Sequence, residues 1–225
     1  MNLIAFGCSY TQGCGQEDVY PQPQRYNYTS KYAWPQQLAD LLGCSVNNLG
    51  EGGASNKQIL HTLLNYNFTQ DDVVVVCWSH IDRWCIIREN DIEKIGIWNS
   101  SIARKSDFWL QYFCEGSLKS SCTETATVFF KYLHNDEDMK QEMHRNILLS
   151  KFYLDKKGIN NYHMTVGKFY LGKYSWFNTN MLNIDWQKIR KEYGFAKDNH
   201  HPGIKANKIV AEKILQQTRG LQERL

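Results

Sequence analysis

A serine near the start of the chain and an Asp-x-x-His turn near its end carry the residue types of a hydrolytic catalytic triad. Ser9 follows the apolar run 3–6 in a Gly-Cys-Ser-Tyr sequence, and Asp198 and His201 precede a proline and the last helical pattern. A serine hydroxyl becomes a nucleophile when an imidazole accepts its proton, and a neighbouring carboxylate fixes the tautomer of that imidazole. These residues therefore predict acyl transfer, with Ser9 as nucleophile, His201 as general base and Asp198 as its partner.

A triad split between the two ends of the chain requires a fold that brings those ends together. Four short apolar or alternating segments predict β-strands at 2–6, 45–49, 73–77 and 161–166. The unbroken β-branched run in the third of them indicates a strand that is buried on both faces. Amphipathic patterns predict helices at 34–42, 54–68, 122–134, 137–157 and 185–193, with a last helix after Pro202.

Strands that alternate with helices through short turns are typical of a parallel sheet with right-handed crossovers. We predict a three-layer α/β/α fold with a central, mostly parallel sheet of about five strands in flavodoxin-like order. A segment without clear periodicity, at about 85–120, is expected to be an insertion after the third strand. The simplest organisation is a single domain that covers residues 1–225.

The composition is that of a soluble globular protein and argues against several classes of partner. Of the 225 residues, 42% are hydrophobic and 22% are charged, and a net charge of +3 is too small to predict nucleic-acid binding. No apolar stretch reaches the length of a membrane span, and the N-terminus lacks the pattern of a signal peptide. The seven cysteines include no CxxC pair, so we expect reduced thiols and a cytoplasmic location.

Four segments of unusual composition are expected to meet at one edge of the predicted sheet. Residues 7–13, 50–56 and 78–84 follow the first three predicted strands, and 198–203 precede the last helix. Loops at the carboxyl ends of parallel strands converge on a crevice. We therefore expect the functional site in this crevice.

This arrangement resembles the SGNH/GDSL hydrolase family over most of the chain, with weaker coverage of 85–160. The family's first block is Gly-Asp-Ser with a nucleophilic serine, and Ser9 matches it although Cys8 replaces the aspartate. The family's last block is Asp-x-x-His, often followed by proline, and this chain keeps it. The resemblance implies that Ser9, His201 and Asp198 form the catalytic triad.

The middle blocks of the family supply the oxyanion hole. The second block is an Asn followed five residues later by a glycine whose backbone N–H donates to the oxyanion, and Asn48 and Gly53 match it. The third block, Gly-x-Asn-Asp, is not kept: His80 takes the position of the Asn if Trp78 takes that of the glycine. The resemblance thus implies three oxyanion donors, namely the backbone N–H groups of Ser9 and Gly53 and the side chain of His80.

Several alternatives remain open at these segments. Ser79 competes with His80 as the third oxyanion donor, and His200 competes with its neighbour as the base. A cysteine nucleophile at Cys8 is disfavoured because strand alternation turns its side chain away from that of the serine. A metal site built from the cysteines and histidines lacks a known ligand spacing, and the glycines at 50–53 lack the Gly-Lys-Ser/Thr ending of a phosphate loop.

Trp78, Arg83 and Trp84 are candidates for substrate binding. Indole rings stack on the apolar faces of sugars, and Arg83 could pair with the substrate. The alternatives are that the tryptophans cover the core and that Arg83 pairs with Asp82. Three further tryptophans are candidates for sugar contact on the same grounds: Trp98, Trp109 and Trp176.

The resemblance implies a serine esterase that hydrolyses a small acyl ester, with an O-acetyl group on a carbohydrate as one candidate substrate. This chemistry needs no metal and no organic cofactor. Two alternatives would use the same fold. One is a catalytically degenerate module that recognises glycans, and the other is an acyltransferase in which an acceptor other than water takes the acyl group.

Overall fold

A computed structural model describes residues 1–20, 28–89, 92–96, 127–167 and 180–218. The strands are β1 Asn2–Gly7, β2 Ser45–Gly50, β3 Asp72–Trp78, β4 Arg83–Ile87, β5 Ile92–Gly96 and β6 Asn160–Thr165. The helices are α1 Ser9–Gln12, α2 Trp34–Leu42, α3 Asn56–Leu64, α4 Asp136–Lys156, α5 Trp186–Tyr193 and α6 Ile204–Gln217, with one π-helical turn at Phe129–Leu133. None of these helices combines the length and the apolar character needed to cross a membrane.

The centre of the fold is a sheet with the strand order β2-β1-β3-β6, in which every neighbouring pair is parallel. Helices α2, α5 and α6 pack together, and α3 packs on α4, so that helices flank the sheet. Every residue of β3 is buried, as its β-branched run predicts. The α/β fold with a mostly parallel central sheet is confirmed. The prediction of five strands is wrong, because the described residues form four.

Beside β6, where a fifth strand would lie, the described residues make one parallel bridge, between His163 and Met181. The N–H of His163 donates to the carbonyl of Asn180 at 2.8 Å, and the N–H of Leu182 donates to the carbonyl of His163 at 2.7 Å. The chain then turns into α5, where the N-cap Asp185 accepts the N–H of Lys188 at 3.0 Å. On the C-terminal side of this bridge the chain therefore enters a capped helix within a few residues.

Helix α3 is capped by its own N-cap residue, whereas helix α2 is capped by a residue of another helix. Ser55 caps α3 by accepting the N–H of Gln58 at 3.2 Å. Helix α2 has Ala33 at its N-cap, which has no side-chain acceptor. Asn207 of α6 replaces it and accepts the N–H of Trp34 at 3.0 Å. The start of α2 therefore depends on packing against α6.

The described part of the predicted insertion is a β-hairpin. Strands β4 and β5 pair antiparallel along all five residues of each. Ile95 and Phe129 are buried in a small apolar cluster of their own, where Trp84 stacks on Phe129 with ring centroids 5.8 Å apart. Regular structure thus extends into the segment 85–120 that looked irregular. Residues 97–120 lie outside the described residues, and the single-domain organisation stays a prediction.

Glycines at two strand ends let α1 approach the sheet closely. Gly7 ends β1 level with Gly50, the last residue of β2. A Cβ atom on Gly50 would overlap the backbone of Thr11 and Gln12, and one on Gly7 would overlap the side chain of Thr11. Helix α1 therefore rests directly on the ends of β1 and β2, which places Ser9, its first residue, at the carboxyl edge of the sheet.

Gly50→Ala is expected to destabilise the protein more than Gly52→Ala. The methyl group at position 50 meets backbone atoms of α1, whereas at position 52 the nearest atom is Oε1 of the Gln12 side chain at 3.0 Å, which can rotate away. We expect a loss of about 1–3 kcal/mol in the free energy of unfolding for Gly50→Ala and less than about 1 kcal/mol for Gly52→Ala. Urea denaturation measures both, and equal losses would contradict the close seating of α1.

A neutral histidine lies in the core next to the end of β3. His163 is 1% exposed, its Nδ1 accepts from the indole Nε1 of Trp78 at 3.2 Å, and its Nε2 lies 3.0 Å from Oδ1 of Asn161. These partners fit a neutral ring with its proton on Nε2. Burial lowers the pKa of His163 to about 3, and the positive charge of Lys151 acts in the same direction.

Stability is therefore expected to fall in acid. The unfolded chain binds a proton at His163 near the ordinary pKa of 6.5, whereas the folded protein does so only near 3. Between these values the unfolded state holds more protons, so the free energy of unfolding decreases as pH falls, by up to about 1.4 kcal/mol per pH unit from this group. Urea unfolding across this window should give a shallower pH dependence for His163→Gln than for wild type, and identical slopes would contradict the assignment.

Candidate active site

Asp198 is oriented by its own turn, just before α6. Its Oδ1 accepts the backbone N–H groups of His200 and His201, both at 2.9 Å, and its Oδ2 lies 2.5 Å from Nδ1 of His201. Asn199 has a φ of 58°, a left-handed backbone that wraps the turn around the carboxyl group. The structure therefore pairs the Asp and the His of the Asp-x-x-His sequence.

The Asp198 carboxyl group is ionised although it is buried. Burial by itself would raise its pKa. The hydrogen bond and charge of His201, together with the two backbone N–H groups, outweigh burial and lower the pKa of Asp198 to about 2. A carboxylate held on Nδ1 keeps the proton of a neutral imidazole there and leaves Nε2 free to accept one. This is the tautomer that a general base requires.

The loop after α1 closes over Asp198 and so joins the two ends of the chain. Gly15 has a φ of 79°, and a Cβ atom there would overlap the carboxyl group of Asp198. The carbonyl of Gly15 accepts the N–H of Lys197 at 3.0 Å, and the side chain of Gln16 donates to the carbonyl of Pro202. The C-terminal turn is thus fastened to the loop that continues from α1.

The ring of Tyr10 also connects the two ends of the chain, next to the predicted nucleophile. Its ring packs edge-on against that of His201, with centroids 5.6 Å apart, and against those of Trp186 and His80 at 5.2 and 6.3 Å. Burial raises the pKa of Tyr10 to about 12, so its hydroxyl keeps its proton. Because Tyr10 directly follows Ser9, this contact places the imidazole of His201 beside α1.

Arg190 of α5 binds both sides of this junction. Its Nη1 donates to the hydroxyl of Tyr10 at 3.0 Å and to the carbonyl of His200 at 2.5 Å, and its Nη2 donates to Oε1 of Gln187 at 2.5 Å. One guanidinium group therefore holds the residue after the predicted nucleophile and the residue before the predicted base.

Ser9 is buried, and its hydroxyl makes no hydrogen bond to any described residue. The structure thus brings Asp198 to His201 and His201 to α1, but it forms no hydrogen bond between Ser9 Oγ and His201. Nucleophile–base hydrogen bonds are often long or misaligned in unliganded enzymes and tighten only when substrate is bound. The geometry is compatible with a triad in which the last link forms on binding.

The two predicted backbone donors follow neighbouring strands. Ser9 is the first residue of α1, after β1, and Gly53, with a φ of 77°, lies in the turn after β2. Neither N–H donates a hydrogen bond to a described residue. Asn48 holds the two loops together, since its Nδ2 donates to the carbonyl of Thr11 at 2.7 Å and its Oδ1 accepts the N–H of Gly50 at 3.0 Å.

The segment after β3 holds both candidates for the third donor. Ser79 is buried, the amide of Asn56 pairs with its N–H and carbonyl at 2.7 and 3.3 Å, and its hydroxyl accepts from Nη1 of Arg83 at 2.9 Å. His80 is half-buried beside Tyr10. Burial, and then the charge of Arg83, lower the pKa of His80 to about 4, so its ring is neutral and has one N–H to donate. Which of the two would donate to an oxyanion stays a prediction.

The predicted substrate-binding residues have different surroundings. Trp78 is fully buried, and its indole stacks on His163 with centroids 6.1 Å apart, so it offers no surface to a substrate. Trp84 stacks on Phe129, and Nζ of Lys57 lies 5.0 Å from the centre of its ring. Roles for Trp84 and for the arginine before it stay predictions. Three other tryptophans lie outside the described residues: Trp98, Trp109 and Trp176.

No sequence motif predicted the contributions of Tyr10, Gly15 and Arg190 to this site. The first two lie close to Ser9 in sequence, and a glycine in a left-handed conformation is a recognisable signal of a close approach. Arg190 is 180 residues from its partner Tyr10, and no spacing in the chain indicates that contact.

Two thiols around the site, those of Cys14 and Cys77, are protonated. Burial, and then the neighbouring Cys8 and Asp198, raise the pKa of Cys14 to about 12, and burial raises the pKa of Cys77 well above its ordinary value. The thiol of Cys14 donates to Oε1 of Gln12 at 3.1 Å. Within the part of the chain that the structure describes, no three His, Cys, Asp or Glu side chains are grouped to hold a metal ion.

Comparison with known proteins finds similarity in structure alone. No protein-family model and no curated protein matches the sequence. A protein assigned to the lipolytic G-D-S-L family, from Desulfitobacterium hafniense DCB-2, has a TM-score of 0.55 at 11% identity, and the match covers 96% of this chain and 98% of that one. An acetyl xylan esterase from the rumen bacterium Butyrivibrio proteoclasticus has a TM-score of 0.50 at 13% identity, and the match covers 98% of this chain and 64% of that one.

At such low identity the similarity concerns the fold and not the chemistry. The matches extend over nearly all of this chain, including the parallel sheet and the helices that flank it. They agree with the resemblance that the sequence blocks indicated. The chain has an SGNH/GDSL hydrolase-like fold.

Proposed function

We propose that this protein hydrolyses small acyl esters with a catalytic triad of Ser9, His201 and Asp198. The observation that carries the proposal is the Asp198–His201 pair, whose imidazole packs against Tyr10, the residue after Ser9. A buried, ionised carboxylate that fixes the tautomer of a histidine prepares that histidine to act as a general base, and the hydroxyl of Ser9 has no competing hydrogen bond within the described part of the chain. The structural similarity to lipolytic and esterase proteins supports the same class of reaction.

The proposed mechanism has two half-reactions. Ser9 Oγ attacks the ester carbonyl while Nε2 of His201 takes its proton, and the same nitrogen then protonates the departing alkoxide. Water, deprotonated by His201, attacks the acyl-serine and releases the acid. Asp198 stays ionised throughout, since its pKa is about 2, and stabilises the imidazolium. The backbone N–H groups of Ser9 and Gly53 and the ring N–H of His80 donate to the oxyanion.

The substrate class that we favour is an acetyl ester, with carbohydrate O-acetyl groups as the leading candidate. One protein with a similar fold is an acetyl xylan esterase, which supports this choice. The reaction needs no cofactor.

Substitution of the nucleophile or the base is expected to abolish turnover. With p-nitrophenyl acetate, Ser9→Ala and His201→Ala should each lower kcat by about 10⁴-fold or more, because triad members act as a unit. The double variant should be scarcely slower than either single one. Ser79→Ala is a matched control, because this serine follows a neighbouring strand at the same edge of the sheet; its kcat should remain far above that of Ser9→Ala. Wild-type activity in Ser9→Ala would refute the triad.

His80 is expected to contribute to turnover without being essential. His80→Ala should lower kcat by about 10²–10³-fold, the usual cost of one oxyanion donor, and His80→Asn should recover part of the loss because an amide also donates. KM for p-nitrophenyl acetate should change little in either variant. Wild-type kcat in His80→Ala would remove this residue from the oxyanion hole.

A second candidate function is a module that binds acylated glycans without hydrolysing them. The missing hydrogen bond between Ser9 Oγ and His201 and the loss of the third family block favour it. A fluorophosphonate probe separates the two functions. Labelling of wild type and not of Ser9→Ala supports catalysis, whereas labelling of neither supports binding. Acyl transfer to another acceptor would use the same triad and is distinguished by product analysis with alcohols or sugars present.

A further inference from the structure

The β4–β5 hairpin contacts the loop that carries the proposed second oxyanion donor. Lys94 of β5 places its Nζ 2.8 Å from the carbonyl oxygen of Gly52, and the same ammonium group pairs with the carboxylate of Glu51. Gly52 directly precedes Gly53, whose N–H is assigned to the oxyanion hole. The hairpin extends into the segment at about 85–120 that the sequence predicted to be an insertion after the third strand.

The carbonyl of Gly52 and the N–H of Gly53 belong to one peptide unit. That unit is planar and trans, so its C=O and N–H bonds point in opposite directions. Lys94 therefore sets the direction of the Gly53 N–H when it holds the Gly52 oxygen on one side of the loop. A charged donor on the oxygen also polarises the N–H of the same peptide and makes it a stronger donor.

The Gly52–Gly53 peptide needs such a partner because both of its residues are glycines. Rotation of this peptide unit changes ψ of Gly52 and φ of Gly53, and glycine adopts both signs of φ at little cost. Gly53 already has a φ of 77°. Without a fixed partner for its oxygen, the unit could turn over and present a carbonyl to the oxyanion instead of an N–H.

We propose that Lys94 is a positioning residue for the oxyanion hole, acting through the Gly52–Gly53 peptide. This inference rests on the proposed esterase function. The hairpin then has a part in the reaction, because its Lys94 orients the N–H of Gly53, which lies in a different loop.

The surrounding contacts hold Lys94 and the loop in this arrangement. The carboxylate of Glu51 accepts from Nε2 of Gln58 on α3 at 2.7 Å. The N–H of Glu51 donates to the carbonyl of Gly7 at 3.0 Å, and its carbonyl accepts the N–H of Ala54 at 3.1 Å. With the loop fixed at both ends, the peptide at its centre is the part that depends on Lys94.

Lys94→Met tests the proposal, because methionine keeps an unbranched apolar stem and loses the donor. We expect kcat for p-nitrophenyl acetate to fall by about 10–10³-fold, the range for a weakened oxyanion donor, with KM within about threefold of wild type. Lys94→Arg should recover part of the loss. The matched control is Lys57→Met, which removes a lysine that donates to the carbonyl of Cys85 in the same hairpin at 3.4 Å without touching the loop, and kcat should stay within about threefold.

A thiono ester separates an oxyanion effect from general damage to the site. Sulfur is a weak hydrogen-bond acceptor, so the preference of the enzyme for the oxo ester over its thiono analogue measures oxyanion donation. We expect that preference to shrink in Lys94→Met and to be unchanged in Lys57→Met. A purely structural defect would slow both esters equally and leave the ratio as in wild type.

Several outcomes would overturn the inference: wild-type kcat in Lys94→Met, an equal loss in Lys57→Met, or an unchanged oxo-to-thiono ratio. If the methionine variant does not fold, the same ratio measured on Lys94→Gln decides. Ser9→Ala serves as the reference for the proposed function. Full activity in Ser9→Ala would reject the triad. Loss of activity in Ser9→Ala together with wild-type activity in Lys94→Met would reject only the role of Lys94.

Discussion

The buried carboxylate of Asp198 is the group on which the rest of the site depends. A charge taken out of water is tolerated when hydrogen bonds replace the lost solvation. Asp198 obtains these from two N–H groups of its own turn and from the ring of His201. The loop at Gly15 then seals it from solvent. The same contacts that solvate the charge thus orient the imidazole and join the ends of the chain.

The strands could be predicted from sequence because their signal is local. The buried run of β3 and the glycines that end β1 and β2 are visible in a short window. The number of strands could not be predicted in this way, because the bridge of Met181 to β6 depends on pairing between two segments and not on a local signal. The hairpin was missed because each of its strands has only five residues and Ile95 is covered by Phe129, which lies more than thirty residues later.

The same distinction applies to the site. Asp198 and His201 are three residues apart, so their pairing follows from a motif. The contacts of Arg190 and Lys94 span 180 and 42 residues, and long-range partners of this kind leave no pattern in a single sequence. For Trp78, by contrast, a local feature of the sequence led to a wrong prediction. Its type and position predicted a binding role, but a histidine on β6 offers its indole N–H a buried acceptor, which makes the core the favourable place for it.

Strands β1, β2 and β3 end within one residue of the same level, which limits how this sequence can change. Gly7 stands opposite both Gly50 and Cys77, and β3 ends one residue later at Trp78, so the loops that follow β1, β2 and β3 leave the sheet within one residue of the same level. Adding or deleting one residue in any of these strands would turn its side chains to the opposite face and displace its loop by about 3.3 Å. Divergence in such a protein is therefore expected to proceed by exchange of side chains, with strand lengths kept constant.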